Sequence, residues 1–517
     1  MQKFQTTLIE KLHNPSSYNH PVDEVKLVET HISWVFLAGK FAYKLKKPVN
    51  FGFLDFSTLS KRHHYCQEEL RLNRRFAPQI YLDVVTIGGS PENFVIGGTP
   101  AVDYLVKMKR FSRQNELDQL LRHNQLTVDM IKQFAEYLAT IHQQAPPVAI
   151  HSNFGSLELI RNPAQENFDQ LRSLLPNPVR QQQLTELESW SQSRLKDLLT
   201  LITSRKEQGY IRECHGDVHL ANMVWFEEKP LLFDCIEFND NFRCIDTIND
   251  TAFLLMDLED RGAKSLSWQF LNHYLQQTGD YPALPLLGYY KSYRALVRAK
   301  VICLRFNQPG LSSTERELNH NLLQSYLDLA SFYSQPRKIP LIICHGFSGS
   351  GKSTFCQKLA AAYGAVHILS DIERKRLHGL EARSKSHSEI DAGIYTEQVT
   401  QKTYIRLLKL AENTIKAGFP VIVDATFLKQ QQRTAMRQLA DQLDVPFIIL
   451  DFPLSKKELF HRVELRSQQT GNVSEATAIV LEQQLKTAQT LTTSEEQVAI
   501  KVQPGSSPEA LAALISG

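Results

Sequence analysis

The residue types best suited to chemistry fall into two separate blocks. One is Gly346-Phe347-Ser348-Gly349-Ser350-Gly351-Lys352-Ser353, followed by Thr354. It matches G-x-x-x-x-G-K-[ST] at every fixed position, after an apolar run at 341–344 and before a helical pattern at Phe355, Leu359, Ala360 and Tyr363. Glycines let consecutive backbone N–H groups curl round phosphate oxygens, and the following helix N-terminus adds positive partial charge. Gly346, Ser348, Gly349, Ser350, Gly351 and Thr354 are the candidate cradle. Lys352 is expected to reach the β/γ-phosphates and assist transfer, and the Ser353 hydroxyl to hold Mg²⁺. The block therefore predicts nucleoside triphosphate binding.

Three further signals lie nearby. The apolar run 421–423 ends in Asp424, where a carboxylate can reach the metal's water shell. Ser370-Asp371 directly follows the expected strand at 365–369, with Arg374 a turn later. Asp371 can accept the proton of an acceptor hydroxyl, or it can simply cap a helix. Arg374 suits an anionic acceptor. Arg462 and Arg466 are four apart, on one helical face. Arg462 can close over the nucleotide and Arg466 can stabilise the charge in transfer, or both can belong to a solvated basic face. These residues resemble the small P-loop kinases that phosphorylate metabolites or nucleic-acid ends, such as gluconate kinase, shikimate kinase and polynucleotide 5′-kinase. The resemblance covers roughly 340–503 and implies ATP as donor.

The second block is His215-Gly216-Asp217-Val218-His219-Leu220-Ala221-Asn222, with an apolar run at 231–233 ending in Asp234. Phosphoryl transfer needs a carboxylate at the acceptor hydroxyl and oxygen ligands for Mg²⁺. Asp217 fits the first need; Asn222 and Asp234 fit the second. His215 suits a bracing hydrogen bond better than a titrating role. Upstream, Ala42-Tyr43-Lys44 places a lysine on a strand at A-x-K spacing, and a helix near 60–75 offers Glu68 or Glu69 as its partner. Lys46 points the same way as Lys44. Lys44 and Glu69 are the preferred pair for the α/β-phosphates.

These residues resemble the aminoglycoside phosphotransferase family, over about 30–330. The resemblance implies a protein-kinase-like fold. The whole chain is similar to a bacterial architecture joining such a half to an ATP-binding P-loop half, most evidently over 35–73. It departs from the kinase pattern in having no G-x-G-x-x-G before Lys44 and in reading Asp234-Cys235-Ile236 at the metal strand. Glu237 adds a carboxylate there, as a further metal or substrate group.

The elements that must position these residues follow from pattern. Ser334-Gln335-Pro336-Arg337-Lys338-Ile339-Pro340 separates a helical stretch from a buried strand, which predicts domains 1–335 and 340–517. The first divides into a small sheet lobe, about 1–110, and a helical lobe, about 111–335. A hairpin turns at Gly39, and further strands are expected at 81–87, 94–96 and 101–109. The second alternates strands, at 341–344, 365–369, 420–423 and 446–451, with helices. The expected fold class is multidomain: α+β, a two-lobed protein-kinase-like domain, then α/β, a P-loop domain on a parallel sheet.

Composition agrees with this. In 517 residues, 42% are hydrophobic and 22% charged, ordinary for globular domains. The 58 basic and 55 acidic side chains leave +3, too little for a general polyanion binder. Seven scattered cysteines without a C-x-x-C pair give no zinc or disulfide framework and suit a reducing cytoplasm. Neither a signal peptide nor an 18-residue apolar span is seen, so no membrane partner is expected. The expected function is ATP- and Mg²⁺-dependent transfer of the γ-phosphoryl group to a small-molecule hydroxyl, at two nucleotide sites. One alternative is a nucleic-acid 5′-hydroxyl kinase in the second domain, with Arg374, Arg376, Arg383 and Lys385 as its groove. Another is a non-catalytic, nucleotide-sensing first half that regulates the second.

Overall fold

The computed structural model describes residues 2–516 except 53, 91–92, 176, 307–311, 382–383, 385–395 and 468–477. The chain forms two compact units. The first is Met1–Asn162 with Leu199–Leu254, and the second is Pro163–Leu198 with Leu255–Gly517.

The first unit begins with a helix, Gln2–Leu12, and an antiparallel six-stranded sheet. Its strands are β1 Val25–Glu29, β2 Ser33–Ala38, β3 Phe41–Lys46, β4 Tyr81–Ser90, β5 Asn93–Ile96 and β6 Ala101–Lys109, in the order β1-β2-β3-β6-β4-β5. Gly39 makes the expected β2–β3 turn at φ +55°, where a Cβ would stand 2.7 Å from the Pro21 carbonyl oxygen. Period-two alternation then sorts β3. Tyr43 and Leu45 join Phe36, Ile87 and Leu105 in a core with Leu8 and Leu12 of the first helix. Lys44 and Lys46 therefore face the other side. That side is covered by helix Leu59–Asn73, whose Cys66 and Leu70 pack with Val106. Thr58 caps this helix through a bond from Lys61 N.

Helices Leu117–Arg122, Val128–Gln144 and Leu199–Glu207 follow in this unit. Two short antiparallel pairs then carry the loop residues. β7 Ile211–Glu213 pairs with β10 Cys244–Asp246, and β8 Met223–Phe226 with β9 Lys229–Leu232. Asn222 directly precedes β8 and Asp234 follows β9 by two residues, so the hairpin returns them to one place.

The second unit is built on a parallel sheet: β11 Leu341–His345, β12 Val366–Leu369, β13 Val421–Asp424, β14 Phe447–Asp451 and β15 Ala499–Lys501, in the order β12-β13-β11-β14-β15. Four strands lie where the sequence predicts them. The fifth, only three residues long, escapes the pattern. The first four strands are mainly apolar, as strands covered on both faces must be. Helices Lys352–Tyr363 and Pro508–Ser516 pack on one side with Ile342, Ile422 and Leu450. Helices Lys264–Thr278, Leu284–Phe306 and Ser313–Ser334 also belong to this unit, and the linker 335–340 lies inside it. Among the described residues no helix is long and apolar enough to cross a membrane. All seven cysteines are free thiols.

Candidate active sites

In the first unit the structure brings Lys44, Glu69 and Asp234 together. Lys44 Nζ lies 2.9 Å from Glu69 Oε1 and 2.5 Å from Asp234 Oδ1. Glu68 points elsewhere, to Arg71 at 2.9 Å. Burial works against the Lys44 ammonium, but Asp234, Glu69 and Glu237 outweigh it and hold its pKa well above the usual lysine value. Glu69 is buried, yet the two flanking ammonium groups keep its carboxyl below the usual range. Lys46 shares Glu69, with Nζ 2.5 Å from Oε2, and also binds Glu237. Glu237 is therefore spent on a buried ion pair, which answers its expected metal or substrate role with a structural one. Burial and the like charge of Glu69 push the Glu237 carboxyl up.

The loop behind this pair is closely bonded. Asn222 Nδ2 donates to Asp217 Oδ2 at 2.8 Å and to the Asp217 carbonyl at 3.0 Å. His215 Nε2 lies 3.0 Å from the Phe233 carbonyl, and Asp217 N donates to His215 Nδ1 at 3.3 Å. With both ring nitrogens engaged in this way the imidazole is neutral, and burial lowers its pKa. Asp250 accepts from the backbone N–H of His215 at 2.8 Å and of Gly216 at 2.9 Å. Gly216 sits at φ +86°, and a Cβ there would meet the Phe242 carbonyl oxygen at 2.6 Å. Asp234 itself has φ +62°, a left-handed conformation that non-glycine residues rarely adopt; its N–H donates to Tyr81 Oη at 3.0 Å. Asp234 carries a half-exposed carboxylate, and Asn222 an amide oxygen. As oxygen donors they fit a hard divalent cation such as Mg²⁺.

In the second unit Gly346, Gly349 and Gly351 have φ of +150°, +85° and +89°, and Gly351 is the N-cap of helix Lys352–Tyr363. A side chain at Gly349 or Gly351 would be strained. Lys352 Nζ donates to the carbonyls of Gly346 at 2.9 Å and Phe347 at 2.7 Å. Burial lowers its pKa against the pull of Asp424. Burial also opposes ionisation of Asp424. The His367 bond, Lys352 and Ser353 overcome this and hold its carboxyl below the usual range.

A cavity of about 940 Å³ opens over this loop. Its walls include Ser348, Gly349, Gly351, Lys352, Ser353 and Thr354 from the loop, and Asp371, Arg374, Asp424 and Arg462 from elsewhere. Gly346 and Ser350 are not among the lining residues. Ser353 and Asp424 again offer oxygen donors that fit Mg²⁺. Asp371 is not the N-cap of helix Ser370–Leu377. Leu369 is, so capping does not explain the aspartate. Arg374 Nη1 donates to Thr400 Oγ1 at 3.1 Å. Arg462, on helix Lys456–Ser467, bonds Glu458 at 2.8 Å. Arg466 lies on the same helix, but its side chain is outside the described residues, as are Arg383 and Lys385. Arg376 is tied to Glu373 and, at 2.6 Å, to the Gln276 carbonyl, which removes it from the expected groove.

Sequence reasoning missed several neighbours of this cavity. Gln484 accepts from Ser348 N and donates to Ser348 Oγ, both at 3.0 Å. Tyr404 Oη accepts from Phe427 N at 3.2 Å and lies 3.3 Å from Thr426 Oγ1.

Comparison with known proteins finds two family matches, one on each side of the 335–340 linker. Residues 88–287 match the family described as phosphotransferase enzymes, and 341–491 match one described as an AAA domain. Among solved structures, an amicoumacin kinase complex is 12% identical, covering 63% of this chain and 93% of its own, at TM-score 0.40. A gluconokinase from Sinorhizobium meliloti 1021 is 20% identical, covering 35% of this chain and 95% of its own, at TM-score 0.25. Uncharacterized proteins of Mycobacterium tuberculosis and Mycobacterium bovis are 31% identical over 443 residues, 84% of this chain and 85% of theirs. The chain thus belongs to one family with these mycobacterial proteins, and joins a phosphotransferase-family domain in its N-terminal half to a P-loop kinase-like domain in its C-terminal half.

Proposed function

We propose that this protein is an ATP-dependent phosphotransferase with two nucleotide sites, each passing the γ-phosphoryl group to a hydroxyl of a small molecule. One observation carries the reading. Each unit sets a buried lysine against metal-competent oxygen donors, Lys44 beside Asp234 and Lys352 beside Asp424. Mg²⁺, when bound, would neutralise phosphate charge. In the first site Lys44, oriented by Glu69, takes the α/β-phosphates. Asp217, held by Asn222, accepts the acceptor proton. In the second, the loop N–H groups and Lys352 cradle the phosphates, and Asp371 faces the acceptor with Arg374 beside it. Arg462 covers the nucleotide, and Arg466 is proposed to stabilise the transferring charge. The cytoplasm is the proposed location.

The test is a metabolite-extract screen for ATP-dependent mass gain of one phosphate, run on Asp217→Ala and Lys352→Ala chains. Each variant is expected to lose a different product, Asp217→Ala by about 10²–10⁴-fold. A screen in which Asp217→Ala loses nothing favours the regulatory first half instead. Label transfer only to 5′-hydroxyl oligonucleotides favours the nucleic-acid kinase.

A further inference from the structure

The P-loop site receives support from a segment far from it in sequence. β12 is an edge strand of the parallel sheet, paired among the described residues only with β13. An edge strand presents unpaired backbone groups on its outer side, and burial makes those groups costly. Here they are met by side-chain amides of helix Lys264–Thr278. Asn272 Oδ1 accepts from His367 N at 2.8 Å, and Asn272 Nδ2 donates to the Ala365 carbonyl at 3.0 Å. One turn on, Gln276 Nε2 lies 3.4 Å from the His367 carbonyl. Asn272 thus does what a neighbouring strand would do, with one donor and one acceptor. It is 6% exposed and His367 is 2% exposed, so water does not compete for these bonds.

The contact leads to the chemistry. The backbone that Asn272 holds carries the His367 side chain. His367 Nε2 lies 3.2 Å from Asp424 Oδ2, on the carboxylate beside Ser353. A ring N–H on one carboxylate oxygen restrains the rotation of a group that also meets Ser353 of the phosphate-binding loop. Losing a partner of this kind behind a metal-binding carboxylate typically costs about 10–100-fold in metal affinity. Helix Lys264–Thr278 lies inside the stretch that matches the phosphotransferase enzyme family, residues 88–287.

We propose that Asn272 and His367 are positioning residues of the P-loop site, linked in the order Asn272, β12, His367, Asp424. The C-terminal kinase is therefore completed by a helix from the stretch that matches the phosphotransferase enzyme family. This rests on reading the P-loop cavity as an Mg²⁺–ATP site. It adds that the site's metal affinity depends on a residue about 150 positions upstream of Asp424.

The experiment uses the full chain and ATP calorimetry with and without Mg²⁺. The P-loop share of binding is the share lost in Lys352→Ala. Asn272→Ala is expected to weaken the Mg²⁺-dependent gain in ATP affinity about 10-fold, with metal-free binding nearly unchanged. His367→Leu should do the same, whereas His367→Gln, which keeps a side-chain N–H donor, should restore most of the gain. A structural defect alone would lower both kinds of binding together and would not be rescued by glutamine. If Asn272→Ala does not fold, the contrast between His367→Leu and His367→Gln decides. Full Mg²⁺ gain in both Asn272→Ala and His367→Leu overturns the proposal. If Lys352→Ala changes no ATP binding at all, the P-loop reading has failed, and the coupling falls with it by a distinct signature.

Discussion

Lys46 shows how much a single buried charge can hold. Its ammonium lies between Glu69 and Glu237, all three almost fully buried, while Lys44 takes the other oxygen of Glu69. Removing one partner of such a set leaves uncompensated charge in a low dielectric. Lys46→Met is therefore expected to cost about 3–5 kcal/mol in urea unfolding. A loss below about 1 kcal/mol would mean that water reaches the cluster. The A-x-K triplet and the helix after it made Lys44 and Glu69 legible in the sequence. The role of Lys46 was not, because an alternating strand puts both lysines on one face and only tertiary packing divides the carboxylates between them.

At the scale of elements, Glu213 ties helix Leu59–Asn73 to the strand that leads into the His215 loop. Its carboxylate takes Arg71 at 2.8 Å, Arg75 at 2.5 Å and Arg243 at 3.3 Å. Partial burial opposes its ionisation, but the three guanidinium groups prevail and hold its pKa down at about 2. A carboxylate depressed in this way adds stability that is fully present above its unfolded value, near 4.5, and is lost as pH falls toward 2. Thermal unfolding of Glu213→Gln should thus show a shallower fall in Tm between pH 4.5 and 2 than the parent chain. Equal slopes would assign the acid sensitivity to other groups. The helix, the β2–β3 hairpin and four parallel strands were readable from periodicity and turn residues. Helix Gln2–Leu12, β1 and β15 were not, being polar, exposed or too short to show a period.

At the scale of the molecule, the parallel sheet and helix Lys264–Thr278 belong to one compact unit. A fragment cut at the linker, 340–517, exposes the outer edge of β12 and is expected to aggregate. A fragment from 255 keeps the helix and is expected to be more soluble. Size-exclusion chromatography of the two distinguishes them, and a monodisperse 340–517 would show that the edge needs no cover.

The sequence alone was enough for the chemistry that local chain geometry builds. The P-loop, the Asp217–Asn222 spacing and the strand-end Asp234 and Asp424 are contiguous patterns, because phosphate cradles and metal loops are made from neighbouring backbone. It was also enough for two kinase-like halves. Tertiary structure decided which of two glutamates meets Lys44, where Lys46 and Glu237 go, that Gln484 caps the phosphate-binding loop, and that Asn272 stands behind His367 and Asp424. These are pairings between polar groups far apart in the chain. Their partners are chosen by burial, which forces every donor and acceptor to be matched, and no local pattern records that choice.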